Sequence, residues 1–345
     1  MTIIIFILIL GIIIFIHELG HFLFAKKFGI YVYEFSLGFG PKIYSFKRKN
    51  DETEYMIKLI PLGGYVAMAG EEDITDTKVP ENMKLYNKPI WQRFLVMTAG
   101  VINNFLLGFI LLFIMGLIYG STLATNELHN IPQDGSLYKM GVRDGEYVTR
   151  INNKKVKNYD DIQLYLALAT SKKKNANVSI GITNSKNVEK VYNVKPIKNK
   201  DGNYYYGISV KVKSEKGLIP AINYAKEKFK SIYKSMVLVI KSLFTGKLSV
   251  NSLSGPVGIY SVVDSVKSSF SMIIYLTAYL SINIGFMNIL PFPAFDGGRV
   301  VFLIIEKIKG SRVNPKVETY VNFIGFIFLM GLMILITIKD VINLF

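Results

Sequence analysis

No cysteine occurs in the 345 residues, and only three histidines do: His17, His21 and His129. The first absence excludes disulfides, iron–sulfur clusters, thiolate-bound zinc and a cysteine nucleophile. Any zinc site must then use nitrogen and oxygen, so the placement of the first two histidines is informative. Acids are also scarce: 25 Asp and Glu stand against 41 Lys and Arg, a formal net charge of +16. Such a balance usually suggests nucleic acid. Here half of the residues are hydrophobic and the mean hydropathy is +0.32. Flanks facing an anionic membrane explain the charge more simply, and no nucleic-acid partner is expected.

Four segments are apolar over the ~20 residues that a bilayer requires: about Thr2 to Ala25, Phe94 to Tyr119, Met272 to Leu290 and Tyr320 to Ile338. The first is not read as a signal peptide, because no basic residue precedes it and no small-residue cleavage site follows. Lys26, Lys27, Lys42, Lys47, Arg48 and Lys49 follow the first span, and Lys84, Lys88 and Arg93 lead into the second. Arg299, Lys307, Lys309, Arg312 and Lys316 lie between the third and fourth. Basic loops stay inside, so these two are expected to be cytoplasmic and both termini extracytoplasmic.

Between the first two spans, Glu34 to Gly70 alternates apolar and polar residues, and Tyr55 to Met68 reads as two short strands around Pro61-Leu-Gly-Gly64. Glu71 to Lys84 reads as a polar surface loop. From about Thr125 to Val212 the composition is that of a water-exposed α/β domain, with helical spacing over Tyr159 to Ala169. Ile219 to Gly246 is basic, with Phe229, Ile232, Met236, Val237 and Ile240 at helical intervals. It reads either as a helix on the membrane surface or as one packed on the preceding domain.

His17-Glu-Leu-Gly-His21 carries the chemistry. Residues four apart share a helix face, so both imidazoles reach one zinc while Glu18 sits beside the metal's open position. Ionisable groups within a span are costly and are kept for a task; the alternative is a structural polar cluster. Thr2 to His17 is about 22 Å of helix at 1.5 Å per residue. That places the site in the cytoplasmic part of a core about 30 Å thick, within reach of water. A catalytic zinc needs a third protein ligand, and the best candidate is Asp296 in Asn288-Ile-Leu-Pro-Phe-Pro-Ala-Phe-Asp-Gly-Gly-Arg299. Pro291 and Pro293 end the helix there, leaving irregular backbone that is tolerated at membrane depth only beside protein or a wet cavity. The alternative for Asp296 is a cap on a helix-ending loop.

This pair of motifs resembles the site-2 protease family of intramembrane metalloproteases, of the bacterial type that regulates sigma factors. The resemblance covers nearly the whole chain. It implies Zn2+ held by His17, His21 and Asp296, Glu18 as general base, and Asn288, Pro291 and Pro293 positioning substrate. Gly100-Val-Ile-Asn-Asn104 resembles the family's Gly-x-x-x-Asn element, which adds Asn104 to the substrate-positioning set. Glu34 to Pro41 and Leu62 to Glu71 resemble its membrane-associated β element, and Gly255-Pro-Val-Gly-Ile259 its segment before the third span. Residues Thr125 to Val212 resemble a PDZ domain, with Asp144-Gly-Glu146 replacing the usual Gly-Asp turn. Phe295 stands where leucine is usual, and Val101 where proline is common.

The expected architecture is therefore a mostly α-helical membrane protein. Residues 1–119 would hold two spans and the β element, and 120–215 an extracytoplasmic PDZ-like domain. Residues 216–270 would form a basic surface segment, and 271–345 the last two spans. The resemblance further implies a multi-pass protein of the bacterial inner membrane. Its substrates would be single-span proteins, anti-sigma factors or remnant signal peptides, trimmed first by a site-1-type protease. The PDZ-like domain would take a peptide ligand or act as a size filter. Two other classes remain: a membrane scaffold, predicting no zinc, and a metal transporter, predicting cation flux and leaving Glu18 unexplained.

Overall fold

Among the described residues of the computed structural model, four helices are long and apolar enough to cross a membrane: α1 (Thr2–Lys27), α2 (Ile90–Tyr119), α7 (Phe270–Ile289) and α9 (Pro315–Ile342). Residues 1–71, 78–171, 173, 175–198, 204–248 and 253–342 are described. The helices outrun the expected spans, since α2 begins at Ile90 and α9 at Pro315. Charged and polar residues at these ends lower hydropathy without stopping a helix, and proline suits a first turn. The chain is a membrane protein with a β domain. It divides into two compact units, Met1–Leu111 with Ser254–Phe345, and Leu112–Leu253.

In the first unit, α1 buries Phe6, Ile9, Ile13, His17, Gly20 and His21, the three-to-four spacing of one helix face. Where α1 meets α2, a Cβ on Gly20 would stand 2.5 Å from the Ala99 carbonyl oxygen. Glycine is needed for that approach, a common solution where helices pack without a hydrophobic driving force. The strands β1 (Val32–Lys47) and β2 (Glu54–Met68) pair in several shifted registers, so that Phe35 lies opposite both Val66 and Tyr55. The expected two strands around Pro61-Leu-Gly-Gly64 are instead one irregular strand. Gly63, at φ 151°, absorbs the distortion, and register shifts carry the pairing past it.

Two helices in this unit went unread in the sequence, α6 (Pro256–Val266) and α8 (Asp296–Lys309). The Asp340 carboxylate, near the end of α9, accepts from the Gly255 and Gly258 N–H groups at 2.7 and 2.9 Å. A carboxylate thus sits at the N-terminus of α6, where free N–H groups favour an anion. Cβ atoms on the two glycines would come within 3.1 and 3.0 Å of its Oδ2, a physical reason for the Gly-Pro-Val-Gly spacing.

The second unit is β-rich. Strands β3 (Ser121–Leu128), β4 (Tyr147–Ile151), β5 (Lys154–Lys155), β6 (Val178–Thr183), β7 (Glu189–Val194) and β10 (Val210–Glu215) form one sheet, in the order β10-β3-β4-β6-β7 with β5 beside β4. The short β8 (Ile197–Lys198) and β9 (Tyr204–Tyr205) pair separately, and α3 (Ser136–Lys139) is a single turn. The strand residues Val148, Ile151, Ile180 and Ile182 bury against Leu128, Leu137 and Ile162, each worth about 1.5–3 kcal/mol when removed from water. Helix α4 (Tyr159–Thr170) is capped by Asn158, whose side chain accepts the Asp161 N–H at 3.0 Å, a contact worth ~1 kcal/mol. Helix α5 (Leu218–Phe244) buries Ala221, Tyr224, Ala225 and Ile232. Lys228 and Lys234 fasten it to Asp160 and Asp161 at 2.8 and 2.6 Å.

Candidate metal centre

His17 and His21 are one helical turn apart on α1, and their rings meet edge to face with centroids 4.9 Å apart. The Nε2 atoms are separated by 3.3 Å. Asp296 opens α8 and brings its Oδ2 to 3.2 Å from His17 Nε2 and 3.4 Å from His21 Nε2. Among the described residues these three form a group able to hold a metal ion. Zinc bonds of about 2.0–2.1 Å at tetrahedral angles set ligand atoms about 3.3 Å apart, and all three sides of this triangle have that length. Asp296 Oδ2 is buried with no hydrogen-bond partner, an orphan that a cation would satisfy. The residues fit zinc.

The surroundings fix each of the three side chains. His21 Nδ1 lies 2.8 Å from the Val96 carbonyl oxygen, which can only accept; Nδ1 therefore carries the hydrogen and Nε2 keeps its lone pair. Asn104, fully buried on α2, places its side-chain amide 3.2 Å from His17 Nδ1. Its Oδ1 has no partner, and the turned amide would accept the Nδ1 hydrogen and give His17 the same tautomer. Gly100 clears the space between: a Cβ there would stand 2.4 Å from His21 Nε2 and 2.8 Å from His17 Nε2. On the other side, Gly297 lies so close behind Asp296 that a Cβ would meet the Ile289 and Leu290 carbonyl oxygens at 2.3 and 2.4 Å.

Glu18 faces a cavity of about 320 Å³ whose walls include His17, His21, Asp296, Asn288 and the Gly63 to Val66 stretch of β2. A Cβ on Gly64 would stand 3.0 Å from Glu18 Cγ, so the glycine lets the strand lie beside the carboxylate. Of the other residues singled out in the sequence, Asn104 sits behind His17 rather than in the cavity wall. Pro291 and Pro293 shape the turn before α8; Gly325 of α9 packs so tightly on Pro293 that a Cβ would lie 2.5 Å from its ring. Ala294 between turn and helix has φ 75°, its N–H donating to Asn322 at 3.2 Å.

Two charged residues of the cavity wall, Arg299 and Glu71, were not foreseen. Arg299 reaches in one turn after Asp296 and is ion-paired with Glu71. The expected surface loop over Glu71 to Lys84 lies outside the described residues at 72–77, and Glu71 itself is drawn inward, with its side chain 15% exposed. Only the helical spacing from Asp296 to Arg299 could have signalled this, and that required knowing that α8 exists.

A helix-borne imidazole pair, a distant carboxylate and an adjacent glutamate, in a chain with four candidate spans, define the class of membrane metallopeptidases. Residues 5–332 match peptidase family M50, and the chain belongs to this family, the site-2 proteases. It is similar to the regulator of sigma-W protease RasP of Bacillus subtilis, 31% identical over all of this chain and 99% of that one. Zinc metalloprotease RasP of Bacillus licheniformis is likewise 31% identical, over 100% and 99% of the two chains. The protein is a zinc metalloprotease.

Proposed function

We propose that the chain hydrolyses peptide bonds within or near the membrane-spanning segment of single-span proteins, with His17, His21 and Asp296 as zinc ligands. The triangle of donor atoms with sides of 3.2, 3.4 and 3.3 Å carries this reading. Zinc held there supplies a Lewis acid that acidifies water and polarises a carbonyl. Glu18 takes the water's proton and returns it to the departing amine nitrogen. Asn104 and the Val96 carbonyl hold the two imidazoles in the tautomer that leaves Nε2 free. Arg299, anchored by Glu71, sets a fixed positive charge in the wall, where negative charge develops on the attacked carbonyl oxygen.

An intact substrate helix hides its carbonyls in hydrogen bonds and must unwind first. The Gly63 to Val66 stretch lies in the cavity wall beside Asn288, and an extended segment would be held by strand pairing there, with Pro291 and Pro293 shaping the groove. The basic loops after α1 and between α7 and α9 are assigned to the cytoplasm, so that water reaches Glu18 from that side and residues 120–215 lie outside the cell. That domain is taken as PDZ-like. Between α4 and residues 204–208 it has a groove of about 600 Å³, lined by Ile162, Leu166, Tyr205 and Ile208, suited to an extended peptide end. The name of the Bacillus subtilis relative refers to sigma-W regulation, which favours anti-sigma factors already trimmed by a site-1-type protease.

Zinc analysis of the purified protein, paired with cleavage of single-span substrates, tests the reading. Wild type should hold one zinc per chain. Glu18→Gln should retain it while cleavage falls about 10²–10⁴-fold, and Asp296→Asn should lose the metal. Unchanged turnover in Glu18→Gln would overturn the assignment.

A further inference from the structure

The metal centre has a neighbour. Between α2, α8 and α9 lies a second cavity of about 330 Å³, and the Glu71–Arg299 ion pair, with Met97 and Ala294, belongs to the walls of both. Three guanidinium groups line this second cavity. Arg299 is taken by Glu71. Arg93, in the first turn of α2, is 5% exposed. Its Nη1 donates to both oxygens of Glu306 at 2.7 and 2.9 Å, while its Nε is buried with no partner. Arg312, between α8 and α9, has its guanidinium carbon 4.6 Å from the centre of the Tyr86 ring, and its Nε too is buried with no partner. Gly70 makes room for that ring, since a Cβ there would stand 2.7 Å from its Cδ1. Charged N–H groups left unpaired away from water are costly, and two such donors border one cavity. Glu318, in the first turn of α9, adds an acceptor to the same wall.

We propose that this cavity holds the headgroup of a membrane phospholipid, its phosphodiester on Arg93 and Arg312 and its hydrogen-donating group, an ethanolamine ammonium or a glycerol hydroxyl, on Glu318. The planar guanidinium fork is made for phosphate oxygens. A wall that mixes guanidinium groups with a carboxylate suits a headgroup carrying both an anion and a donor better than a bare anion. Position agrees. Arg93 and Glu318 stand at the ends of two candidate spans, the level of the headgroups in a bilayer, where basic pockets between spans take lipid heads. Past them the wall turns apolar along α9, at Phe323 and Phe326, which are 59 and 51% exposed. An acyl chain leaving the cavity there meets hydrocarbon. Inorganic phosphate would leave those phenyl groups unused, and a substrate peptide has the strand beside Glu18 in the other cavity.

The inference concerns a bound lipid and not peptide hydrolysis, so its failure would leave the proteolytic reading standing. Native mass spectrometry of the full-length protein in detergent, titrated with phosphatidylethanolamine, phosphatidylglycerol or phosphatidylcholine, reads the affinity for the first lipid bound. Wild type should hold the first two about tenfold tighter than phosphatidylcholine, whose quaternary ammonium has no hydrogen to donate; one charge-assisted contact is worth that much. R312Q should lose about tenfold in affinity for all three, because all share the phosphate. E318A should lose only the preference among them. K316Q removes an exposed charge nearby and should leave phosphatidylethanolamine binding as in wild type, since that lipid has no net charge. Zinc content reports whether each variant is folded, and should R312Q lose its metal, the E318A arm decides alone. Equal wild-type affinity for the three lipids would overturn the proposal, as would folded R312Q or E318A that binds them as wild type does. Displacement of the lipid by equimolar inorganic phosphate, or by a peptide with an acidic side chain, would also overturn it and give the cavity to that ligand.

Discussion

On α1, Ile3, Ile4, Leu8 and Ile12 stand about half exposed or more, and only 6% of the apolar window of α9 is buried. In the β-rich unit, Leu128, Leu137, Val148, Ile151 and Ile180 are wholly enclosed. The same residue types are placed in opposite ways because the solvents differ. Lipid is as apolar as leucine, so the helical unit gains little by hiding its aliphatic residues. It is held instead by glycine-paved crossings, by Asp340 on α6 and by Arg93 Nη1, which donates to both Glu306 carboxylate oxygens at 2.7 and 2.9 Å. The β-rich unit is stabilised by removing hydrocarbon from water. Hence the metal centre depends on close contacts and the β-rich unit on volume.

The largest effect that would test this contrast is at Gly100. Replacing it with alanine sets a methyl carbon against both imidazoles, and zinc affinity should fall about 10–100-fold, the range seen when a ligand loses its support. A competition titration with a chelator reads it, and wild-type affinity would show that the crossing is slack. Next comes Ile151→Ala, which should destabilise the β-rich unit by about 2–5 kcal/mol while leaving zinc content unchanged. Hydrogen exchange of β4 and β6 amides should report the loss; a parallel loss of zinc would merge what the comparison separates. Removing the cap with Asn158→Ala should cost ~1 kcal/mol, seen as faster exchange in the first turn of α4 only.

The smallest effect is a pH dependence confined to the β-rich unit. The Ile131 and Asn130 N–H groups donate to Asp144 at 3.1 and 2.8 Å and hold its carboxyl below the usual carboxylate range. The stabilisation is therefore full above the ordinary value of ~3.9 and is lost as pH falls through the depressed one. Asp144→Asn should flatten this part of the acid-unfolding curve; an unaltered curve would remove Asp144 as its source.

The spans were legible because hydropathy over some twenty residues needs no partner to interpret it. His17, Glu18 and His21 were legible for a related reason, since four-residue spacing is local to one helix. Asp296 could be named from the proline–glycine pattern, but its distance from the imidazoles is a fact of tertiary structure. Helix α8 escaped because Gly297 and Gly298 weigh against a helix, although Val300 and Leu303 keep its period. They are tolerated because Cβ atoms there would strike the Ile289 and Phe292 carbonyl oxygens at 2.3 and 2.4 Å. With α8 unread, Arg299 passed for a loop charge and its pairing with Glu71 was invisible. Asn104 was assigned to substrate from resemblance; only the crossing of α1 and α2 places its amide on His17.

The contact between His21 and Val96 has a consequence for the tuning of the site. A backbone carbonyl cannot titrate or be replaced by mutation, so the proton on that imidazole is held by a partner that evolution cannot edit side chain by side chain. Adjustment is left to the Asn104 amide on the other ring. One histidine is anchored to the scaffold itself, and the second is the dial.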